Sequence, residues 1–305
     1  MKVLITGAGG FIGSHLTDRL LRDGHNVVAI DNFSTGRHKN LTPHPNLTVV
    51  QTSILDPIEE LFHEIDVVFH LAALTKIQES IAKVEEYNKT NVDGTVKIFT
   101  HAKDNKVKRV VFVSSSSVYG DNVVPTPEDV ILNPMCPYAL QKQIGEQYAK
   151  LFETLYGLEI NCVRPFNVFG TRQLPGSTYS AAVPKFIDSF IKDTRPWITG
   201  DGKQTRDFIY IDDMVDLLVL LSQCETYGET FNAGSGQETS VNNLLKTICE
   251  IMDKPFTPDY VEKVFEPTRV LADMSKVKQI LNWIPKVSLR EGLERTINGT
   301  LNNNS

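Results

Sequence analysis

The chain has 305 residues, a formal net charge of −6 at neutral pH, 41% hydrophobic residues and four cysteines. That length allows one large or two moderate domains with a real core, and the composition excludes a collagen-like, disordered or disulfide-built chain. The negative balance argues against nucleic acid as the main partner.

Cys136, Cys162, Cys224 and Cys249 form no CxxC or Cys/His ligand spacing, so no metal site is expected and the thiols read as reduced. The opening "MKVLITGAGG" is too short an apolar run for a signal peptide and reads as a strand. Met214 to Leu221 is too short to span a bilayer, and Asp212, Asp213 and Asp216 interrupt its surroundings. No membrane association and a cytoplasmic location are expected.

Along the first half, short β-branched runs alternate with helical patterns. Strands are predicted at Lys2–Ile5, Val27–Ile30, Leu47–Val50, Val67–His70, Val110–Val113 and Ile160–Val163. Helices are predicted near Phe11–Arg22, Ile58–His63, Val84–Lys103 and Tyr138–Tyr156. Apolar strands without clean polar alternation suggest burial on both faces, hence a parallel sheet wrapped by helices. The fold class expected is α/β, a doubly wound Rossmann sheet. Lys103, Lys106, Lys108 and Arg109 fall at a predicted helix end and read as a solvated cap.

After about Pro165 the rhythm breaks. Helical pieces follow at Lys185–Lys192, Met214–Ser222, Val241–Met252 and Ser275–Leu281, between longer loops. The expected division is a dinucleotide-binding domain over 1–165 and a smaller substrate domain over 166–305. "DFIYIDD" and "TFNAGS" look like strands able to rejoin the first domain from within 205–235. The polar "NNNS" tail is expected to be disordered.

"ITGAGGFIG" joins the first strand to the first helix and sets Gly7, Gly10 and Gly13 at a GxxGxxG spacing. Such a turn brings backbone close to a pyrophosphate, and the helix N-terminus adds unpaired N–H groups and a positive dipole end. Any tight strand-to-helix turn favours glycine, so the turn alone is weak. Asp31 adds weight: at the end of the second strand its carboxylate can accept from both adenosine ribose hydroxyls, and it would repel a 2′-phosphate. The pair points to NAD rather than NADP.

The fifth strand ends in "VFVSSSSVYG", and "PYALQK" opens the next helix. Strand ends line the ligand crevice of a parallel sheet, so the serines bring hydroxyls there. Tyr138 and Lys142 are four residues apart and share a helix face. A tyrosine is a poor base at neutral pH, but a nearby ammonium and a cationic nicotinamide ring favour its phenolate. With a serine hydroxyl beside it, this is equipment for removing an alcohol proton while the carbon is oxidised.

In order along the chain stand TGxxGFIG, "HLAA" at 70–73, SSSSVYG, YxxxK, "RPFNVFG" at 164–170 and "RDFIYIDD" at 206–213. The set resembles the extended short-chain dehydrogenase/reductase family, and more narrowly its nucleotide-sugar epimerases of the UDP-glucose 4-epimerase type. The resemblance implies Ser115, Tyr138 and Lys142 as catalytic, with Tyr138 the base. For NAD it implies Gly7, Gly10, Phe11, Ile12 and Gly13, then Asp31, Asn32, Ser34, Thr35 and Gly36. Further along it implies Ser53, Ile54, Leu71, Ala72, Ala73, Asn91, Ser114 and Pro165, besides Tyr138 and Lys142. For the nucleotide sugar it implies Ser115, Ser116, Asn167 and Arg206, with Lys263 or Arg269 in place of a missing RPGD arginine. Outside that motif, Arg206 beside Asp207 would read as a surface ion pair.

The reaction so implied oxidises sugar C4 to a ketone, turns the ketone over and reduces it on the other face. Related dehydratases carry an acid pair where this chain has Ser116 and Ser117, which disfavours dehydration. No acid stands where the decarboxylases place one, and Asp31 argues against an NADPH reductase. UDP-glucose and UDP-galactose are the first expectation. The N-acetylhexosamine pair is the alternative, because Val270 leaves room near the sugar C2 group. A non-catalytic NAD-binding regulator is disfavoured by the intact Ser115, Tyr138 and Lys142.

One difference from the family pattern is Ser53 where an adenine-contacting acid is usual, with Asp56 three residues on. Relatives pair through a four-helix bundle, which here would use Val84–Lys103 and Tyr138–Tyr156. Ile98, Ala102, Ile144, Ala149 and Phe152 have the spacing for it, or for packing within the subunit.

Overall fold

The structure is a computed structural model that describes residues 1–175, 181–263 and 267–302. The chain runs β1 (Lys2–Thr6), α1 (Phe11–Arg22), β2 (Asn26–Asp31), β3 (Leu47–Gln51) and β4 (Val67–His70). Next come α2 (Ile77–Ala82), α3 (Val84–Asn88), α4 (Gly94–Asp104), β5 (Arg109–Val113), α5 (Pro137–Tyr156) and β6 (Glu159–Pro165). Then follow β7 (Asn167–Phe169), α6 (Ala182–Ile191), β8 (Trp197–Thr199), β9 (Thr205–Tyr210), α7 (Ile211–Gln223) and β10 (Thr230–Ala233). The last elements are β11 (Glu238–Ser240), α8 (Val241–Met252), β12 (Asp259–Val261), α9 (Ser275–Leu281) and α10 (Leu289–Asn302).

Seven parallel strands form one sheet in the order β10-β6-β5-β4-β1-β2-β3. This is the doubly wound Rossmann order, with the winding reversing between β1 and β4, whose ends meet at Thr6 and His70. Side chains alternate across the strands and divide the core into two layers. Val3, Ile5, Val67, Phe69 and Val111 face the layer with Leu16 of α1 and Leu217 of α7. Leu4, Val68, Val110 and Phe112 face the layer with Phe99 of α4 and Phe152 of α5. Each such side chain contributes about 1.5–3 kcal/mol on full burial. The edge strand β3 departs from the expected two-sided burial and is mostly exposed.

Several elements differ from their expectation. The helix expected over Ile58–His63 is a single 3-10 turn, Glu59–Phe62, whose Phe62 is buried. The helix expected over Val84–Lys103 is split into α3 and α4 by a π turn at Lys89–Asp93. Arg109 is not part of a solvated cap: it is 4% exposed, ion-pairs with Glu159 and donates to the Leu221 carbonyl. β10, from "TFNAGS", lies beside β6 in the main sheet, whereas β9, from "DFIYIDD", belongs to a separate sheet of order β11-β9-β7. Residues 303–305 of the "NNNS" tail lie outside the described residues.

Candidate active site

The turn after β1 closes on itself: Gly7 and Ala8 donate to the Ile30 carbonyl, and Gly10 donates to the Gly7 carbonyl. A β-carbon on Gly13 would stand 2.2 Å from the Gly7 oxygen, and one on Gly7 would stand 2.8 Å from the Ala72 nitrogen. Only glycine therefore lets α1 settle on this turn and the turn on the end of β4. α1 has no side-chain N-cap bond at Gly10, so the first-turn N–H groups of Phe11, Ile12 and Gly13 face the crevice without a capping side chain. That arrangement fits a pyrophosphate.

Asp31, at the end of β2, accepts from Gly9 N at 2.8 Å and from Phe33 N at 2.7 Å. Its carboxylate thus ties the glycine turn to the next loop, and each oxygen keeps a lone pair for a ribose hydroxyl. That loop carries Asn32, which accepts from Ser34 N, and the exposed Ser34 and Thr35. A β-carbon on Gly36 would stand 2.9 Å from the Asp31 carboxylate. Ser53 donates its N–H to Asp56, which also takes the Thr52 hydroxyl, so Asp56 is spent on capping its own turn. Ile54 is buried against Gly94 at the start of α4.

At the end of β4, Leu71 N donates to the Thr6 carbonyl and Ala72 N to the Thr6 hydroxyl, with the half-buried Ala73 following. The π turn puts Asn91 inside the protein, where it bonds Leu74 in both directions and donates to Gln141 of α5. His70 is held between the Thr6 and Thr95 hydroxyls. Burial, aided by Lys142, lowers its pKa to about 3, so it stays neutral.

β5 delivers Ser114 and Ser115 to the crevice. Ser115 caps a 3-10 turn, Ser116–Tyr119, accepting from both the backbone and the hydroxyl of Ser117. Gly145 allows α5 to lie against Phe112, since a β-carbon there would stand 2.6 Å from the ring. Tyr138 is 8% exposed in the first turn of α5, and its backbone N–H donates to Ser80 of α2. Burial pushes its phenol up to about 12, and the Ser115 hydroxyl beside it acts the other way. Lys142 donates to the Val113 carbonyl at 2.8 Å and lies over the Phe112 ring. Burial lowers its pKa to about 8, and Glu146 opposes that shift. Pro165 closes β6 opposite Ala233.

On the other rim, Asn167 donates to the Asp207 carbonyl. Arg206 donates to the Thr205 carbonyl, while Asp207 is fully buried and accepts from Ser235, Gly236 and Ala272. Asp207 is thus a buried brace for two segments, 235–236 and 272, and not a surface partner for Arg206. Arg269 makes a two-pronged pair with Glu238 at 2.7 and 2.8 Å, which lowers the Glu238 pKa to about 2. Lys263 is exposed and packs its stem near Gly200.

Sequence reading passed over a buried polar chain next to the site. Glu146 of α5 accepts from Arg164 Nε at 2.9 Å and Nη2 at 2.6 Å and also takes the Ser114 hydroxyl. Arg164 Nη1 reaches the Tyr119 hydroxyl, which bonds Asn232 of β10. The available signal was Glu146 four residues after Lys142 on an otherwise apolar face. Among the described residues no group of His, Cys, Asp and Glu is arranged to hold a metal ion, and no helix is long and apolar enough to cross a membrane.

The strand order, the glycine turn at the switch point and the hydroxyl-lined strand end define a dinucleotide-binding protein of the Rossmann class. The profile of the NAD dependent epimerase/dehydratase family matches residues 3–234, and the chain belongs to that family, with NAD as its cofactor. The chain is 37% identical to UDP-glucose 4-epimerase of Mycolicibacterium smegmatis over 97% of both chains. Its fold is similar to that of UDP-N-acetylglucosamine 4-epimerase from Methanobrevibacter ruminantium M1, with a TM-score of 0.96 and 36% identity over 99% of this chain and 98% of that one. It is also similar to UDP-glucose 4-epimerase of Thermotoga maritima, with a TM-score of 0.94 and 35% identity over the whole of both chains.

Proposed function

We propose that the protein is a UDP-sugar 4-epimerase acting first on UDP-glucose and UDP-galactose. The observation that carries this reading is the placement of the Ser115 hydroxyl beside the buried Tyr138 phenol, followed by serines and not carboxylates at 116 and 117. Tyr138 and Ser115 can exchange one proton with one sugar hydroxyl, and the turn after Ser115 has no acid to carry a dehydration or a decarboxylation. When bound, NAD supplies the two-electron oxidation and reduction at the sugar carbon.

Tyr138 removes the O4 proton and later returns it. With its pKa near 12 in the surroundings described, the phenol holds its proton at neutral pH. The Lys142 ammonium and the cofactor's positive ring are the charges that make it a base. Gly7, Gly10 and the first turn of α1 hold the pyrophosphate, and Asp31 holds the ribose. Leu71, Ala72, Asn91, Ser114 and Pro165 would line the cofactor's path along the strand ends. Ser116, Asn167 and Arg206 bind the nucleotide sugar, with Lys263 or Arg269 as the second cation for its diphosphate.

The N-acetylhexosamine pair is the second reading. It is favoured by the overall likeness to the Methanobrevibacter enzyme and by Val270, a modest side chain packed against Tyr119, Phe166 and Ala272. We also propose the division at about residue 165, with β10 rejoining the first part, a cytoplasmic location consistent with four free thiols, and a homodimer.

The testing experiment incubates wild type and Tyr138→Phe with UDP-glucose and, separately, UDP-N-acetylglucosamine, and follows the C4 epimer by NMR. Wild type is expected to convert one donor, and the variant to lose about 10²–10⁴-fold in rate. No conversion of either donor, with NAD supplied, would sink the reading.

A further inference from the structure

Two bonds join α5 to the end of β5: Lys142 to the Val113 carbonyl, and the Ser114 hydroxyl to Glu146. Lys142 and Glu146 are one turn apart on the buried face of that helix. Ser114 immediately precedes Ser115, and Tyr138 precedes Lys142 by one turn, so the two bonds lie just behind the two hydroxyls that face the sugar. Arg164 grips both Glu146 oxygens from β6 and is itself held by the Tyr119 hydroxyl and the Glu128 carbonyl.

We propose that Glu146 is a positioning residue for the reaction. Its carboxylate keeps Lys142 in the ammonium form and, through Ser114, locks the strand end that presents Ser115 against the helix that presents Tyr138. The effect on turnover rests on the epimerase reading; the effect on Lys142 does not.

The titratable and charged groups around Lys142 support this. His70 faces it from β4 and is neutral, Cys162 faces it from β6 as a thiol whose pKa burial raises, and Tyr138 and Glu146 share its helix. Glu146 is the one carboxylate among these groups. Arg164 is bound to Glu146. A lysine in such surroundings loses its proton readily, and an adjacent carboxylate is the usual counterweight. Glu146 also borders a cavity of about 280 Å³ shared with Gln143, Cys162 and Thr230.

The test labels the protein with [13Cε]lysine and titrates Lys142 by NMR, its resonance assigned by loss in Lys142→Met. Glu146→Gln is expected to move the Lys142 titration down by about one pH unit, whereas Ser114→Ala leaves it in place. If Glu146→Gln does not fold, Glu146→Ala, which sets no amide hydrogens against Arg164, is titrated instead. A folded variant of either kind with an unmoved Lys142 titration would overturn the proposal. Under turnover, the alkaline limb of kcat/KM is expected to shift down in Glu146→Gln. In Ser114→Ala the rate is expected to fall about tenfold with the limb unmoved. Failure of wild type to convert any UDP-hexose would remove the epimerase reading but leave the NMR result standing.

Discussion

The Lys142 ammonium is bound to the Val113 carbonyl, 2.8 Å away, so the lysine that follows the tyrosine by one turn is anchored on the neighbouring strand. This makes it a buried cation with a measurable pH signature. Its pKa is about 8 in the folded protein against 10.5 in its ordinary state, with burial the main cause. A folded value below the unfolded one means that the unfolded chain binds more protons between the two. Stability should rise with pH from about 8 toward 10 and fall as pH drops through 8. Urea unfolding across that range should show the rise, and Lys142→Met should remove it.

Gly13→Ala tests the cofactor turn. The new methyl would meet the Gly7 carbonyl oxygen at 2.2 Å, a backbone atom that cannot swing aside. α1 would have to lift from the turn, at a cost of about 1–3 kcal/mol. NAD carried through purification should drop about tenfold or more, measured by absorbance after denaturation. A variant that keeps its full NAD content would show that the turn tolerates the lift.

Arg206 and Arg269 should separate in substrate binding. Glu238 already holds both prongs of Arg269, and Glu238 also takes the Thr205 hydroxyl. Arg269 would have to give up that pair to reach a diphosphate. Arg206→Met is expected to raise KM for the UDP-sugar by about 10–100-fold, and Arg269→Met by a few-fold. Equal effects would place both cations on the phosphates.

The subunit contact can be tested on α5. Of the five apolar positions first suggested by spacing, Ile98, Ala102, Ala149 and Phe152 are buried inside the subunit, where they pack with Phe99 and Phe112. The exposed apolar residues of that helix are Leu140, Leu151 and Leu155, with Tyr156 beyond them. Leu151→Glu together with Leu155→Glu should convert a dimer to a monomer in sedimentation, with the circular dichroism of the fold retained. A wild-type monomer would end the dimer proposal.

Much of the fold was legible because its signals are local. The strands of the main sheet are runs of β-branched and apolar residues, and every one of them lies within a residue or two of its expected place or was marked as able to rejoin. Misreadings came where local pattern and tertiary context disagree. The apolar spacing of 84–103 continues through the π turn, so nothing in the sequence marks the extra residue that turns Asn91 inward. α2 is short and largely exposed, Ile77 and Ile81 included, and it is ordered by what it packs against: Ser80 meets the backbone of Tyr138. α10, rich in charged residues, carries a moderate apolar face that buries Leu293 and Ile297.

The sequence alone determined the alternation of strands and helices, the glycine turn, the acid at the end of β2 and the Ser–Tyr–Lys set. Each of these is a residue type required at a fixed short spacing, and short spacings survive whatever the rest of the chain does. Tertiary structure decided the partners of the charges. It set Arg109 against Glu159, Arg269 against Glu238, Asp207 against two backbone segments, and Glu146 between Ser114 and Arg164. A charge acts through the low-dielectric space around it, and in this fold that space is assembled from strands and helices far apart in the chain.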